Sequence, residues 1–166
     1  MKVKYLDQGE AFKIAMNLEE EGEKFYRRCA RITANTEAKH IFSHLADEER
    51  VHFDTFRDIY GLSRSRKPAV MGSSEEKRQY LAHLVRPGVF FDLDAVPGVT
   101  LKHLTEIEAI HIGIQVEKDS ILFYTEAWRN ATDNLSRKAF KRILLEEHHH
   151  LNILIDRLID IKRIKK

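Results

Sequence analysis

The sequence predicts an all-α protein, a four-helix bundle made of two antiparallel hairpins joined by a long crossover with a short extra helix. Four segments of roughly 25–30 residues carry apolar side chains at helical spacing. Only 7 Gly and 3 Pro occur in 166 residues, which is too few for a fold of many short strands. Two links are short and the middle link is long enough to cross the bundle, as in bundles of two hairpins.

The first hairpin has a recognisable beginning and end. Its first helix is predicted from about Asp7 to Ile32, and Asp7 with Glu10 resembles a capping box. The second helix is predicted from Asn35 or Thr36 to Tyr60, with Gly61 at its carboxyl end. The link near residue 34 is therefore short, and the two helices are expected to lie antiparallel.

The second hairpin follows a crossover in which a short helix is predicted from Ser74 to Val85. Its first helix comes after Pro97-Gly98, with Thr100 as the expected N-cap, and its second starts near Thr132-Asp133. The last helix ends in cations, which suit the negative pole of a helix dipole. We interpret the chain as one domain, 1–166, with repeat halves at about 7–60 and 100–164 and a crossover at 61–99.

Composition excludes several classes of protein. The single cysteine, Cys29, can form neither an internal disulfide nor a four-cysteine metal site, and is expected to be a small core residue. A net charge of +2 argues against nucleic-acid binding through bulk charge. No apolar run approaches the ~18 residues of a membrane span, and the amino terminus lacks the apolar stretch of a signal peptide. We expect a cytoplasmic protein.

An internal repeat identifies the informative residues. Five Glu-x-x-His pairs occur in the sequence, so the motif alone is not specific. A shift of 98 residues, without a gap, superimposes Glu48-Glu49 on Glu146-Glu147 and His52 on His150. The same shift superimposes Glu19 on Glu117, so a lone glutamate precedes the Glu-x-x-His glutamate by 30 residues in both halves.

These ionisable residues lie on the helix stripes that should face the core, where four carboxylates would repel one another. Two divalent cations would supply the four positive charges needed for balance. Mixed carboxylate and imidazole donors suit iron or manganese, and zinc is a further alternative. The predicted metal ligands are Glu19, Glu49, His52, Glu117, Glu147 and His150.

Other polar residues have plainer interpretations. Glu20, Glu21 and Glu48 are expected on solvated helix faces, and Glu23 is expected at the surface more often than beside the metals. Tyr26 and Tyr124 each lie seven residues after a ligand glutamate, on the same side of the helix. Their hydroxyls either bond a ligand carboxylate, with a supporting role in catalysis, or belong to plain packing.

The chain resembles rubrerythrin-like proteins of the ferritin-like superfamily over nearly its whole length. The resemblance rests on one segment in each long helix and on YLAHLV with VF in the crossover. The helix segments are NLEEEGEKFY (17–26), LADEERVH (45–52), VEKDSILFY (116–124) and LEEHHH (145–150).

The resemblance implies a di-iron centre that is oxidised by hydrogen peroxide or oxygen, often in defence against oxidative stress, with Glu49 and Glu147 as the bridging ligands. It also implies a homodimer. One departure is the missing rubredoxin domain, whose cysteine pairs do not exist here. The other is Ile114, which stands where rubrerythrins carry a further glutamate, so the peroxide-linked movement of iron is not implied for this chain.

Four functions follow from this sequence. The leading one is a di-iron oxidoreductase that reduces peroxide or oxygen with electrons from a separate donor, a rubredoxin-type protein or a flavin reductase. The alternatives are an iron-binding protein with ferroxidase activity, a di-iron hydroxylase and a metal-free interaction module. Iron retained well above two per chain would favour storage, and a hydroxylated apolar product would favour the hydroxylase.

Overall fold

The computed structural model of the chain describes residues 8–63 and 104–164. These ranges hold four long helices and no strand. The helices are α1 (Gln8–Ile32), α2 (Thr36–Ser63), α3 (Glu106–Asn130) and α4 (Asn134–Ile164).

The helices form two hairpins that pack against each other. Helix α1 packs along α2 and α3 packs along α4, and three-residue links join the members of each pair. Contacts between the hairpins run from α2 to α4 and from α1 to α3. The predicted all-α four-helix bundle of two hairpins is therefore confirmed.

Side-chain caps start two of the helices at equivalent places in the hairpins. Asn35 Oδ1 accepts from the backbone N–H of Ala38 at 2.9 Å, and Asp133 Oδ1 accepts from that of Ser136 at 2.9 Å. Each link thus ends in a residue whose side chain satisfies a backbone donor of the first turn.

Two predicted helix ends are wrong. Helix α3 is capped by Thr105, not Thr100, because Thr105 and Glu108 form a reciprocal capping box. Helix α2 continues through Gly61 to Ser63, since a single glycine costs a helix only ~1 kcal/mol. Asp7, Thr100 and the short helix predicted for 74–85 lie outside the described residues.

Two apolar clusters fill the bundle. One contains four phenylalanine rings and Tyr124, with Phe12 stacked on Phe140 at 5.0 Å and tilted against Phe56 at 6.0 Å. The other includes Tyr26, which stacks at 6.3 Å on the ring of Phe42. None of the helices in the described ranges has a stretch both long and apolar enough to cross a membrane.

Candidate metal centre

Six ionisable side chains are buried at the middle of the bundle, and they are the six that the repeat singles out. Each is at most 3% exposed. Helices α1 and α3 contribute one glutamate each, and α2 and α4 each contribute a Glu-x-x-His pair, whose two side chains share a helix face. The six are Glu19, Glu49, His52, Glu117, Glu147 and His150.

The potential donor atoms form two overlapping groups, and within each group they lie within 4.8 Å of one another. Glu19 and His52 belong to the first group, and Glu117 and His150 belong to the second. Glu49 and Glu147 belong to both. Two ions held by these groups would therefore share two carboxylates, one from each hairpin.

Each imidazole presents its two nitrogens to different surroundings. His52 Nδ1 lies 3.0 Å from Glu147 Oε1 and 3.3 Å from Glu19 Oε2, whereas its Nε2 lies 2.9 Å from Glu146 Oε2. An outer carboxylate that accepts the Nε2 proton leaves the Nδ1 lone pair for a metal and orients the ring.

His150 repeats this arrangement with the hairpins exchanged. Its Nδ1 lies 3.4 Å from Glu49 Oε1 and 3.6 Å from Glu147 Oε2, and its Nε2 lies 3.1 Å from Glu48 Oε2. The two imidazole rings are nearly parallel, with centroids 5.4 Å apart and planes 18° from each other. Each outer carboxylate therefore comes from the helix that packs opposite its histidine.

The two tyrosines also reach across the hairpins. The Tyr26 hydroxyl donates to Glu117 Oε1, and the Tyr124 hydroxyl donates to Glu19 Oε1. Both side chains are fully buried, and burial, together with the nearby carboxylates, raises the pKa of each phenol well above its usual value. Each phenol thus keeps its proton and remains a hydrogen-bond donor to a carboxylate.

The electrostatics divide the four inner glutamates into two kinds. Burial and the charges of neighbouring glutamates raise the pKa of Glu19 and Glu117 well above the usual value. Burial would do the same to Glu49 and Glu147, but close polar contacts hold the pKa of both below the usual value. For Glu49 these contacts are with Glu19 and the two imidazoles, and for Glu147 they are with the two imidazoles. Glu19 and Glu117 are therefore the two that favour the protonated form, and Glu49 and Glu147 favour the charged form.

The imidazoles supply the balancing charge. Burial disfavours an imidazolium, yet close contacts with the carboxylates of Glu147 and Glu49 raise the pKa of His150 to about 12. Close contacts with the carboxylates of Glu146, Glu147 and Glu19 likewise raise the pKa of His52 far above its usual value. Two divalent cations would supply four positive charges and would displace the protons held by the two imidazoles, Glu19 and Glu117.

The donor set passes a direct test of fit to metal ions. Four buried polar atoms have close polar neighbours but no hydrogen bond of acceptable geometry within the described residues, and all four belong to the cluster: His52 Nδ1, Glu117 Oε2, Glu147 Oε1 and His150 Nδ1. Unsatisfied buried polar atoms are rare in folded proteins, so four of them in one cluster fit residues that bind metal ions. An ion accepting their lone pairs would satisfy all of them.

Two glycines permit close packing around the cluster. A Cβ on Gly22 would meet Glu49 Cδ at 3.3 Å, and a Cβ on Gly113 would meet the Tyr26 hydroxyl oxygen at 3.3 Å and Leu154 Cδ1 at 3.0 Å. Larger residues at either position would push a carboxylate or a phenol out of place.

Comparison with known proteins agrees with this geometry. The family model for rubrerythrin matches residues 10–157. The chain belongs to the rubrerythrin family. A candidate ferritin-like diiron-carboxylate protein from Thermotoga maritima has a similar solved structure, with a TM-score of 0.67 and 27% identity. That match covers 95% of this chain and 97% of the other. No curated protein matches the sequence.

Membership of the rubrerythrin family and the buried cluster together support a di-metal centre in this chain. The structure brings together all six predicted ligand residues. It places both tyrosines against glutamates of the cluster, although on the opposite hairpin from the glutamates that precede them in sequence.

Sequence reasoning missed the outer pair, Glu48 and Glu146. The prediction that Glu48 lies on a solvated face is wrong, because it is half-buried and contacts His150. The repeat carries the relevant signal, since it superimposes Glu48 on Glu146 as well as Glu49 on Glu147.

Two other polar residues have no part in the cluster. Glu23 forms ion pairs with Arg27 at 3.5 Å and Arg50 at 3.7 Å. Cys29 is buried, and burial raises the pKa of its thiol to about 12, so it is an unreactive core residue.

Proposed function

We propose that the chain is a di-iron oxidoreductase that reduces hydrogen peroxide or oxygen with electrons from a separate donor. The observation that carries the proposal is the pair of four-residue donor groups sharing Glu49 and Glu147. The rubrerythrin family match and the similarity to a candidate diiron-carboxylate protein support it. Iron is the proposed metal, because mixed carboxylate and imidazole donors suit it, and manganese or zinc are the alternatives.

The proposed ligands have separate tasks. Glu19 with His52 and Glu117 with His150 would each hold one ion, and Glu49 and Glu147 would bridge the two. A pair of ferrous ions, when bound, supplies two electrons for reducing an O–O bond. The protein's carboxylates balance the charge and its apolar walls limit the access of water.

The surrounding residues act on protons and orientation. Glu146 and Glu48 accept the Nε2 protons of His52 and His150 and so hold both rings with Nδ1 inward. Tyr26 and Tyr124 donate to Glu117 and Glu19, and we propose that they stabilise the charged carboxylates when metal is bound. We propose that the electron donor is a rubredoxin-type protein or a flavin reductase, that the chain forms a homodimer, and that it is located in the cytoplasm.

The first experiment is metal analysis after anaerobic iron loading, followed by rapid mixing with peroxide or with oxygen. We expect two irons per chain and a near-ultraviolet absorbance that grows much faster with peroxide. Faster growth with oxygen would instead favour an oxidase, a ferroxidase or a hydroxylase. Iron well above two per chain would favour storage, and the absence of stoichiometric metal would contradict the proposal.

A double substitution tests the ligand assignment. We expect Glu49→Ala with Glu147→Ala to abolish binuclear binding while the helices persist, since both bridging carboxylates are lost. The control is Glu20→Ala with Glu21→Ala, which removes two neighbouring carboxylates outside the cluster and should keep both irons. Two metals retained in the first variant would overturn the assignment.

A further inference from the structure

A cavity of about 340 Å³ lies where the end of α3 meets the start of α4. Its wall contains one indole, one amide and four cations, and five of these six side chains are exposed. The lining residues are Trp128, Arg129, Asn134, Arg137, Lys138 and Lys141. Nothing in the proposed metal centre uses these residues.

The positive charge of this cavity is largely uncompensated. Arg129 forms an ion pair with Glu126 at 3.4 Å, but within the described residues no carboxylate pairs with Arg137, Lys138 or Lys141. Arg137 and Lys141 lie four residues apart on one helix, where like charges destabilise the helix. The arrangement therefore costs local stability and favours an anion.

Trp128 gives the cavity an aromatic wall. Its half-buried ring packs against the apolar cluster that contains Tyr124, which holds the indole in place. Lys141 Nζ lies over the face of this ring, 5.7 Å from its centroid, so the exposed lysine side chain would have to turn aside for a ligand ring to stack there and would remain close enough to pair with the ligand's anionic group. An aromatic group and an anionic group of one ligand would meet adjacent partners here.

The internal repeat shows that these features belong to one hairpin. A shift of 98 residues places Ala30 opposite Trp128 and Ser43 opposite Lys141. Lys39 and His40 stand opposite Arg137 and Lys138. The first hairpin therefore lacks the indole and two of the four permanent cations, although it shares the ligand pattern of the centre.

We propose that this cavity binds a mononucleotide, with the base or other planar ring against Trp128 and the phosphate among Arg137, Lys138 and Lys141. Cations bind phosphate through charge-assisted hydrogen bonds. The cavity lies at the lower end of the ~300–1,000 Å³ range of ligand pockets, so it fits a mononucleotide better than a dinucleotide. The proposal is independent of the metal centre.

Trp128 is the single tryptophan of the chain, so its fluorescence reports on the cavity directly. The experiment titrates the iron-loaded full-length protein with adenosine monophosphate, flavin mononucleotide or inorganic phosphate. We expect a saturable fluorescence change with at least one nucleotide, at an affinity about tenfold or more above that for inorganic phosphate, because the ring adds a stacking contact. The ratio between the two nucleotides identifies the preferred ring.

Matched charge reversals in the two hairpins test the location. Arg137→Glu with Lys138→Glu should weaken nucleotide binding by about tenfold or more, since charged hydrogen bonds are lost. Lys39→Glu with His40→Glu makes the corresponding change in the first hairpin and should leave the affinity unchanged. Lys138→Gln alone is a milder second variant, in case the double reversal fails to fold, and should weaken binding severalfold.

Three results would overturn the proposal. One is that the tryptophan fluorescence shows no saturable change with either nucleotide at concentrations up to about 1 mM, which corresponds to weak binding. Another is an equal affinity for inorganic phosphate, which would indicate an anion site without a place for the ring. The third is equal weakening by both charge reversals, which would indicate a general effect of net charge.

Discussion

The two hairpins are alike at the metal centre and different at their outer ends. At the centre, the tyrosine contact of each hairpin is returned by the other: Tyr26 bonds Glu117 and Tyr124 bonds Glu19. Contacts exchanged in this reciprocal way are the pattern of a two-fold related pair. The chemistry of the site therefore constrains both halves equally.

At the outer ends of the hairpins, residues that the repeat places at equivalent positions form different polar contacts. At one end the amide of Gln8 bonds Asp133, Ser136 and Thr132 of the second link. At the other end, the 98-residue shift places Glu106 at the position equivalent to Gln8. Glu106 accepts a hydrogen bond from the buried guanidinium of Arg157 at 2.7 Å.

Arg157 also donates to Glu37 and, at 2.9 Å, to Asn35 Oδ1 of the first link. The position equivalent to Arg157 in the first hairpin is Ile59. The difference between the ends teaches that a buried polar group needs partners but not particular ones, whereas metal ligands admit few replacements.

The largest expected effect is a loss of bound iron when a proposed ligand that belongs to only one of the two donor groups is removed. Glu19→Ala and Glu117→Ala should each lower the iron content from two per chain to about one, because each removes a ligand from a different group. Metal analysis after anaerobic loading measures the change. Loss of iron in only one of the two variants would break the equivalence of the hairpins.

The outer carboxylates should give a smaller, matched effect. Glu48→Ala and Glu146→Ala should each lower metal affinity about 10–100-fold, since they release the Nε2 protons of His150 and His52. Competition with a chelator measures the affinity. Asp47→Ala, at an exposed neighbouring position, is the control and should bind iron as the parent protein does.

The substitution Arg157→Ile gives the second hairpin the residue that the first hairpin has at the equivalent position, Ile59. We expect a loss of about 2 kcal/mol in the free energy of unfolding, because Glu106 and Glu37 lose their partner but remain partly exposed. Adding Glu106→Gln, which copies Gln8, should recover part of that loss. Chemical denaturation measures both variants.

Arg163→Ile, at an exposed position near the end of α4, is the control for the Arg157 series. Its effect should stay within about 0.5 kcal/mol, as is usual for surface substitutions. A loss at Arg157 no larger than this would show that the ion pairs contribute nothing to stability.

The smallest effect is a pH dependence found in one hairpin only. Burial would raise the pKa of Asp133, but hydrogen bonds from Ser136 and Gln8 hold it below the usual value. Its stabilisation is therefore present above the pKa of an unfolded aspartate, about 4, and is lost as the pH falls through the lower folded value. Asn35, at the equivalent position, does not titrate.

We expect Asp133→Ala to cost about 1 kcal/mol at neutral pH and clearly less in acid. The cost of Asn35→Ala should vary much less over the same range. Denaturation at both pH values measures the two differences, and parallel behaviour of the two variants would contradict the assignment of the effect to Asp133.

Much of the architecture follows from the sequence, because helical periodicity and link length are local properties. The four long helices and their arrangement in two hairpins are confirmed in residues 8–63 and 104–164. The six proposed ligands come together because residues three apart share a helix face and the repeat keeps one register in both halves. Their role as ligands, the single domain and the homodimer stay predictions.

Features that depend on the rotation of neighbouring helices could not be read from the sequence. Glu48 looks solvated on its own helix, and only the position of α4 shows that it contacts His150. Helical spacing in α3 predicts that Ile107 and Ile121 face the core, but both are only half-buried, whereas the small residues Ala109 and Gly113 are buried. Because the neighbouring helices approach α3 most closely at these small residues, its buried face is centred on them and not on the largest apolar side chains.

The crossed contacts have a consequence for the integrity of the molecule. Each hairpin carries three of the six proposed ligands and one of the two phenols, so neither can assemble the set alone. Bound metal would thus act as a non-covalent cross-link between the hairpins, stabilising only the docked pair. A protein nicked between them would stay in one piece while loaded with iron and would separate more readily after chelation.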